Sequence, residues 1–148
     1  MSLRDLYQEM IVDHGRRPRN FKTLSHATHQ HAGHNTLCGD QLMLYVVESN
    51  GAIADIGFEG NGCAISMASA SLMTEAVKGK TMADVQFLFE KFHELVTQGD
   101  NQHADELLGK LAIFAGVAEF PIRVKCATLA WHTLRAALAG ETKLVTTE

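Results

Sequence analysis

No apolar run in this chain approaches the roughly 20 residues that a membrane-spanning helix requires. The opening Met1-Ser2-Leu3-Arg4-Asp5 brings an acidic residue into the first turns and no apolar stretch behind it, so a secretory signal is not expected. A basic surplus is missing as well: 13 Lys and Arg stand against 17 Asp and Glu, a formal net charge of -4. That balance excludes the concentrated basic surface on which nucleic-acid binding depends. Cysteine occurs only three times, an odd number that cannot pair off, and the cytoplasmic address implied by the other absences keeps thiols reduced. A disulfide framework is therefore not expected. The three thiols are left as buried small side chains or as metal ligands.

What is present is a hydrophobic content of 46% over 148 residues, enough for one domain, residues 1–148, with a substantial core. The one basic cluster is Arg16, Arg17, Arg19 and Lys22. It reads first as a solvated segment after a helix, and second as a docking point for an acidic partner.

Ser2 and Asp5 form a capping pattern, and Leu3, Leu6, Tyr7, Met10 and Ile11 recur at helical spacing, predicting a first amphipathic helix that ends near Gly15. Leu42, Leu44 and Val46 alternate with Met43, Tyr45 and Val47, and Asn50-Gly51 leads into Ala52 to Phe58, the pattern of a tight hairpin. A segment around Thr28 to His31 is expected to extend it to three strands. Beyond Cys63 the chain turns helical. Ala64 to Lys78 stops at Gly79, and Thr81 with Asp84 caps a helix whose apolar face is Val85, Leu88, Phe89, Phe92, Leu95 and Val96. The polar break Gln98 to Gln102 separates it from a helix carrying Leu107, Leu108, Leu111 and Phe114. Pro121 interrupts the pattern, a last helix runs from Val124 or Lys125 to Ala139, and Gly140 stops it before a polar tail. The expected fold class is α+β: a small three-stranded antiparallel sheet packed against about five helices.

Each cysteine sits in a setting that suits a ligand. Cys63 follows Gly60-Asn61-Gly62 and opens a helix, where glycines permit close backbone approach and the free N–H groups favour a thiolate. Cys126 is expected near a helix start beside Lys125 and Arg123, and Cys38 shares a tight glycine-containing turn with Asp40. Taken singly, a cysteine is more often a small core residue and Asp40 a turn former. Together, three soft thiolates and one harder oxygen make a four-ligand set for zinc or an iron–sulfur centre, built only when distant segments fold together. Of these thiols, Cys38 lies on a mobile glycine-containing loop and is the one expected to reach a partner. His26, His29, His31 and His34 crowd one stretch. His29 and His31 would share a strand face and could chelate a second metal, although hydrogen-bonded sheet or surface positions are the plainer reading. His103 and His132 read as ordinary helix residues, and Met67, Met73 and Met82 as core filler.

Asn35-Thr36-Leu37-Cys38-Gly39-Asp40, Gly60-Asn61-Gly62-Cys63-Ala64-Ile65-Ser66-Met67-Ala68-Ser69-Ala70-Ser71 with the following Lys78-Gly79-Lys80, and Phe120-Pro121-Ile122-Arg123-Val124-Lys125-Cys126-Ala127-Thr128-Leu129-Ala130-Trp131 resemble the IscU/NifU iron–sulfur assembly family. Leu6-Tyr7 and His14-Gly15-Arg16-Arg17-Pro18-Arg19-Asn20 extend the likeness over nearly the whole chain. The resemblance implies a metal site of Cys38, Asp40, Cys63 and Cys126. It would hold zinc, or alternatively iron or a labile 2Fe-2S cluster, and the partners would be a cysteine desulfurase and apo iron–sulfur acceptor proteins. The SufU branch is closest. IscU scaffolds carry a histidine before the last cysteine, where this chain has Lys125, and Phe120 to Val124 does not match their chaperone-recognition segment. The extra sequence around Gln98 to Gln102 is a further mark of SufU. That branch implies a SufS-type desulfurase and a zinc-dependent sulfurtransferase with Cys38 as acceptor. An IscU-type scaffold is the alternative, and a structural zinc module a weaker one.

Overall fold

The computed structural model describes residues 2–99, 104–141 and 143–147. Helix α1, Leu3–Arg16, starts where the capping pattern places it: Ser2 Oγ accepts from the Asp5 N–H and Asp5 Oδ2 from the Ser2 N–H, both at 3.2 Å. Tyr7, Met10 and Ile11 turn towards the core. Strands β1, His29–Asn35, β2, Asp40–Ser49, and β3, Ala52–Asn61, form an antiparallel meander. The β2–β3 hairpin closes through Asn50 and Gly51 at φ of 54° and 76°. Both lie in the left-handed region that a two-residue turn matched to strand twist demands. Leu42, Leu44 and Val46 point from β2 into the core.

Helices cover the inner face. Cys63 caps α2, Ala64–Val77, which is buried along nearly its whole length. Thr81 caps α3, Met82–Gln98, and presents Val85, Phe89, Phe92, Leu95 and Val96 inward, with Leu88 half-buried. Residues 100–102 of the expected polar break, and His103, lie outside the described residues. The third helix is a correction. It is a short helix α4, Ala104–Leu108, continued by a 3-10 stretch, Gly109–Glu119. Gly109 at φ 56° ends the α-helical path. Leu108, Leu111, Phe114 and Val117, all buried, then fall three residues apart, the period that stacks side chains on one face of a 3-10 helix.

Two further expectations need correcting. Helix α5 spans Pro121–Leu138, so Pro121 opens the helix rather than interrupting it. Proline suits that first position because its φ is already helical and its missing N–H would have no partner there. Cys126 consequently lies in the second turn, not at the start. The polar tail, in turn, contains strand β4, Val145–Thr146, which pairs parallel to β1. The sheet therefore has four strands in the order β3-β2-β1-β4 and is mixed, not three-stranded and antiparallel. Two residues are too few to show alternation, and the free edge of β1 captures them. Trp131 of α5, fully buried, stacks on Phe92 of α3 at 4.8 Å between ring centres and marks the middle of the core. A Cβ at Gly33 would collide with the Thr133 hydroxyl, so α5 lies directly on β1. That close packing brings Cys126 to the end of the sheet where β1 turns into β2.

Candidate metal centre

At that end, residues 36–39 form the turn between β1 and β2. Gly39 takes φ 71° with open space around it, which lets Cys38 and Asp40 aim at one point. Cys38 Sγ and Cys126 Sγ are 3.0 Å apart. The ligand atoms of Cys38, Asp40 and Cys126 all lie within 4.8 Å of one another, the only such group among the described residues. Cys63 stands beside this group. Its N–H donates to Asp40 Oδ1 at 2.8 Å, while its sulfur falls outside the 4.8 Å group. Both glycines before it are needed. A side chain at Gly60, φ 150°, would overlap the Gln41 carbonyl, and a Cβ at Gly62 would lie 2.5 Å from Asp40 Oδ1.

The electrostatics follow from this geometry. The Cys63 thiol is pulled down to about 6, chiefly by the hydrogen bond from Cys126 and further by the N–H groups of Ser66 and Ile65, against the effect of burial. The Ser66 N–H reaches Cys63 Sγ at 3.4 Å, the helix-start contact expected of an N-cap thiolate. Cys126, fully buried, is pushed up, first by its bond to Cys63 and then by burial. Asp40 is fully buried, and its oxygens accept from Cys63 N–H and Asn35 Nδ2, with no salt bridge to it among the described residues. A buried carboxylate beside three thiols calls for a cation, and that donor set fits zinc or a soft transition metal. The nearest basic group is Arg123, whose Nη1 lies 3.8 Å from Cys38 Sγ and whose guanidinium is held protonated by Cys126, then Cys63 and Cys38. Cys38 itself lines a surface groove of about 610 Å³ with Leu37, Phe120, Pro121, Ile122 and Arg123.

Other candidates resolve into structural roles. His29 Nε2 contacts Glu48 Oε1 at 2.9 Å, while the buried His31 meets the Lys143 carbonyl, so these two histidines are used separately. Arg17 and Arg19 pair with Asp13, and Lys22 with Asp55. Met67 and Met73 are core residues and Met82 packs against the core. His132 is half-buried on α5 against Phe89. Asn35 was not singled out by the sequence. It is fully buried, and its amide contacts both Asp40 Oδ2 at 3.3 Å and Cys126 Sγ at 3.5 Å. Only the cross-strand pairing of Asn35 with Asp40 puts it there, and nothing in local sequence announces that register.

Residues 6–127 match the family model for the NifU-like N terminal domain. The chain belongs to this family. The iron-sulfur cluster assembly scaffold protein IscU of Streptococcus pyogenes serotype M1 is 42% identical over 136 residues, covering 92% of this chain and 84% of the relative. The zinc-dependent sulfurtransferase SufU of Bacillus subtilis (strain 168) is 38% identical over 140 residues, 95% and 94% of the two chains. A solved structure described as a putative iron-sulfur cluster assembly scaffold protein for the SUF system, from Fervidobacterium islandicum AW-1, superposes with a TM-score of 0.82 at 32% identity. It covers 93% of this NifU-like chain and 99% of its own.

Proposed function

We propose that this protein is a SufU-type iron–sulfur cluster assembly factor that binds zinc through Cys38, Asp40, Cys63 and Cys126. In this reading it is a zinc-dependent sulfurtransferase that accepts sulfur on Cys38 from a SufS-type cysteine desulfurase and passes it on for clusters destined for apo acceptor proteins. The observation that carries the reading is the meeting of Cys38, Asp40 and Cys126 within 4.8 Å, with the Cys63 N–H on Asp40 Oδ1. Likeness to the Bacillus subtilis relative over 95% of this chain supports the sulfur-transfer side.

Zinc, when bound, would keep the thiolates deprotonated at neutral pH. The remaining chemistry belongs to the chain. Cys38 Sγ attacks the terminal sulfur of the desulfurase persulfide; a new S–S bond forms on Cys38, the S–S bond to the desulfurase cysteine breaks, and that cysteine leaves as a thiolate. No external oxidant or reductant is needed. Arg123, 3.8 Å away, stabilises negative charge on Cys38 before attack. The groove at Cys38 gives a partner loop access that the buried Cys126 denies. Residues 1–148 act here as one cytoplasmic domain, and among the described residues no helix is long and apolar enough to cross a membrane.

A second reading, a scaffold carrying a 2Fe-2S cluster as cargo, is favoured by the scaffold name of the Streptococcus pyogenes relative and by the lone oxygen donor, which would leave a cluster labile. Intact-mass spectrometry after mixing with desulfurase and cysteine separates the two. One added sulfur on Cys38 supports the carrier. Visible absorption after anaerobic addition of iron and sulfide, without sulfur on Cys38, supports the scaffold. Neither result would leave a structural zinc module.

A further inference from the structure

Asn35 ends β1 directly opposite Asp40 at the start of β2 and is fully buried. Its Nδ2 reaches both Asp40 Oδ2, at 3.3 Å, and Cys126 Sγ, at 3.5 Å. The other end of the same amide is unsatisfied: Asn35 Oδ1 is buried with no hydrogen-bond partner. An orphaned buried acceptor is unfavourable, so something must hold the amide this way round. Turning it over would face its oxygen with Asp40 Oδ2 and withdraw the N–H groups from both Asp40 and Cys126 Sγ. The two acceptors thus set the orientation, and both N–H groups are committed to them.

We infer that Asn35 is a positioning residue of the metal centre, a buried amide that holds Asp40 and Cys126 as ligands and weakens both as donors. This rests on the metal reading given above. With Cys63 N–H on Oδ1 and Asn35 on Oδ2, both oxygens of Asp40 are hydrogen-bonded to protein. Its electron density is drawn away from a metal, making it the readily exchanged ligand. Cys126 likewise gives part of its charge to the amide and becomes a stationary, poorly nucleophilic ligand. Cys38 Sγ instead meets the Cys126 thiol, which donates to it at 3.0 Å, and the exposed Arg123. Asn35 thereby divides the labour between two sulfurs only 3.0 Å apart, leaving sulfur chemistry to Cys38.

The test uses cobalt(II) in place of zinc in the full chain and reads the thiolate-to-cobalt charge-transfer bands of wild type and Asn35→Leu, which keeps the volume and removes both N–H donors. A hydrogen bond to sulfur lowers the energy of its lone pairs, so losing it shifts the bands to longer wavelength. A purely structural role would leave them in place. Should Asn35→Leu not fold, Asn35→Ala removes the same donors without adding bulk and is read in the same way. Unchanged bands in a folded, cobalt-loaded variant would overturn the role of Asn35 while leaving the metal centre standing. Absence of thiolate bands in the wild type would overturn both.

Discussion

The main-chain N–H of Cys63 donates a 2.8 Å hydrogen bond to Oδ1 of Asp40, 23 residues earlier in the chain. One contact joins the cap of α2 to the first residue of β2, and so ties two of the proposed ligand segments together before any metal is considered. It also makes Asp40 part of the fold.

Removing any one thiol should release the metal. Cys38→Ser, Cys63→Ser and Cys126→Ser are each expected to lose zinc on elemental analysis, and the metal-free wild type should melt earlier than the loaded protein. Ligand binding at a thousand times Kd contributes about 4 kcal/mol, so the shift should be several degrees. Full zinc occupancy in all three variants would place the site elsewhere.

Sulfur acceptance should depend on Cys38 and not on docking. With desulfurase and cysteine supplied, Cys38→Ser is expected to gain no sulfur by intact mass while still forming the complex in a pull-down with the purified desulfurase. Persulfide found only on Cys63 or Cys126 of the wild type would move the acceptor role to that residue.

Asp40 should have two separable effects. Asp40→Cys adds a fourth thiolate and is expected to slow zinc loss to a chelator, and Asp40→Ala to slow it less. The alanine variant also strands the Cys63 N–H and the Asn35 amide, each buried donor costing about 1–3 kcal/mol, so its metal-free form should unfold at lower urea than wild type. Faster zinc release from Asp40→Cys would make Asp40 a clamp alone.

His132 is pushed down to about 4, first by burial and then by Arg135 and His93. The unfolded chain therefore takes up a proton below about 6.5 that the folded one refuses. Stability from the neutral imidazole is fully present above that pH and is lost as pH falls towards 4. Urea midpoints measured across this range should fall less steeply for His132→Gln than for wild type. Zinc loss on acidification is common to both proteins, so the difference reports the imidazole. Parallel curves would show that His132 titrates normally.

The features legible in the sequence are those whose physics is local. The Ser2–Asp5 capping box, the Asn50-Gly51 turn, the Thr81 cap and the Cys63 helix start each depend on a few neighbouring residues. Pro121 was open to a correct reading too, since proline at the first helical position is a start signal. The 3-10 stretch was harder, because a three-residue period over so short a run resembles one face of an α-helix.

By itself, then, the sequence determined the chemical inventory: three cysteines without a disulfide partner set, one carboxylate beside the first, glycines where the chain must pass closely, and enough apolar residues for one core. Tertiary structure alone decided which atoms meet. β4 joins β1, Asn35 faces Asp40, and Cys126 in the second turn of α5 reaches Cys38. The reason is range. Helix caps and turns are set by bonds within about four residues, whereas the centre depends on sheet register and on how closely α5 packs against Gly33.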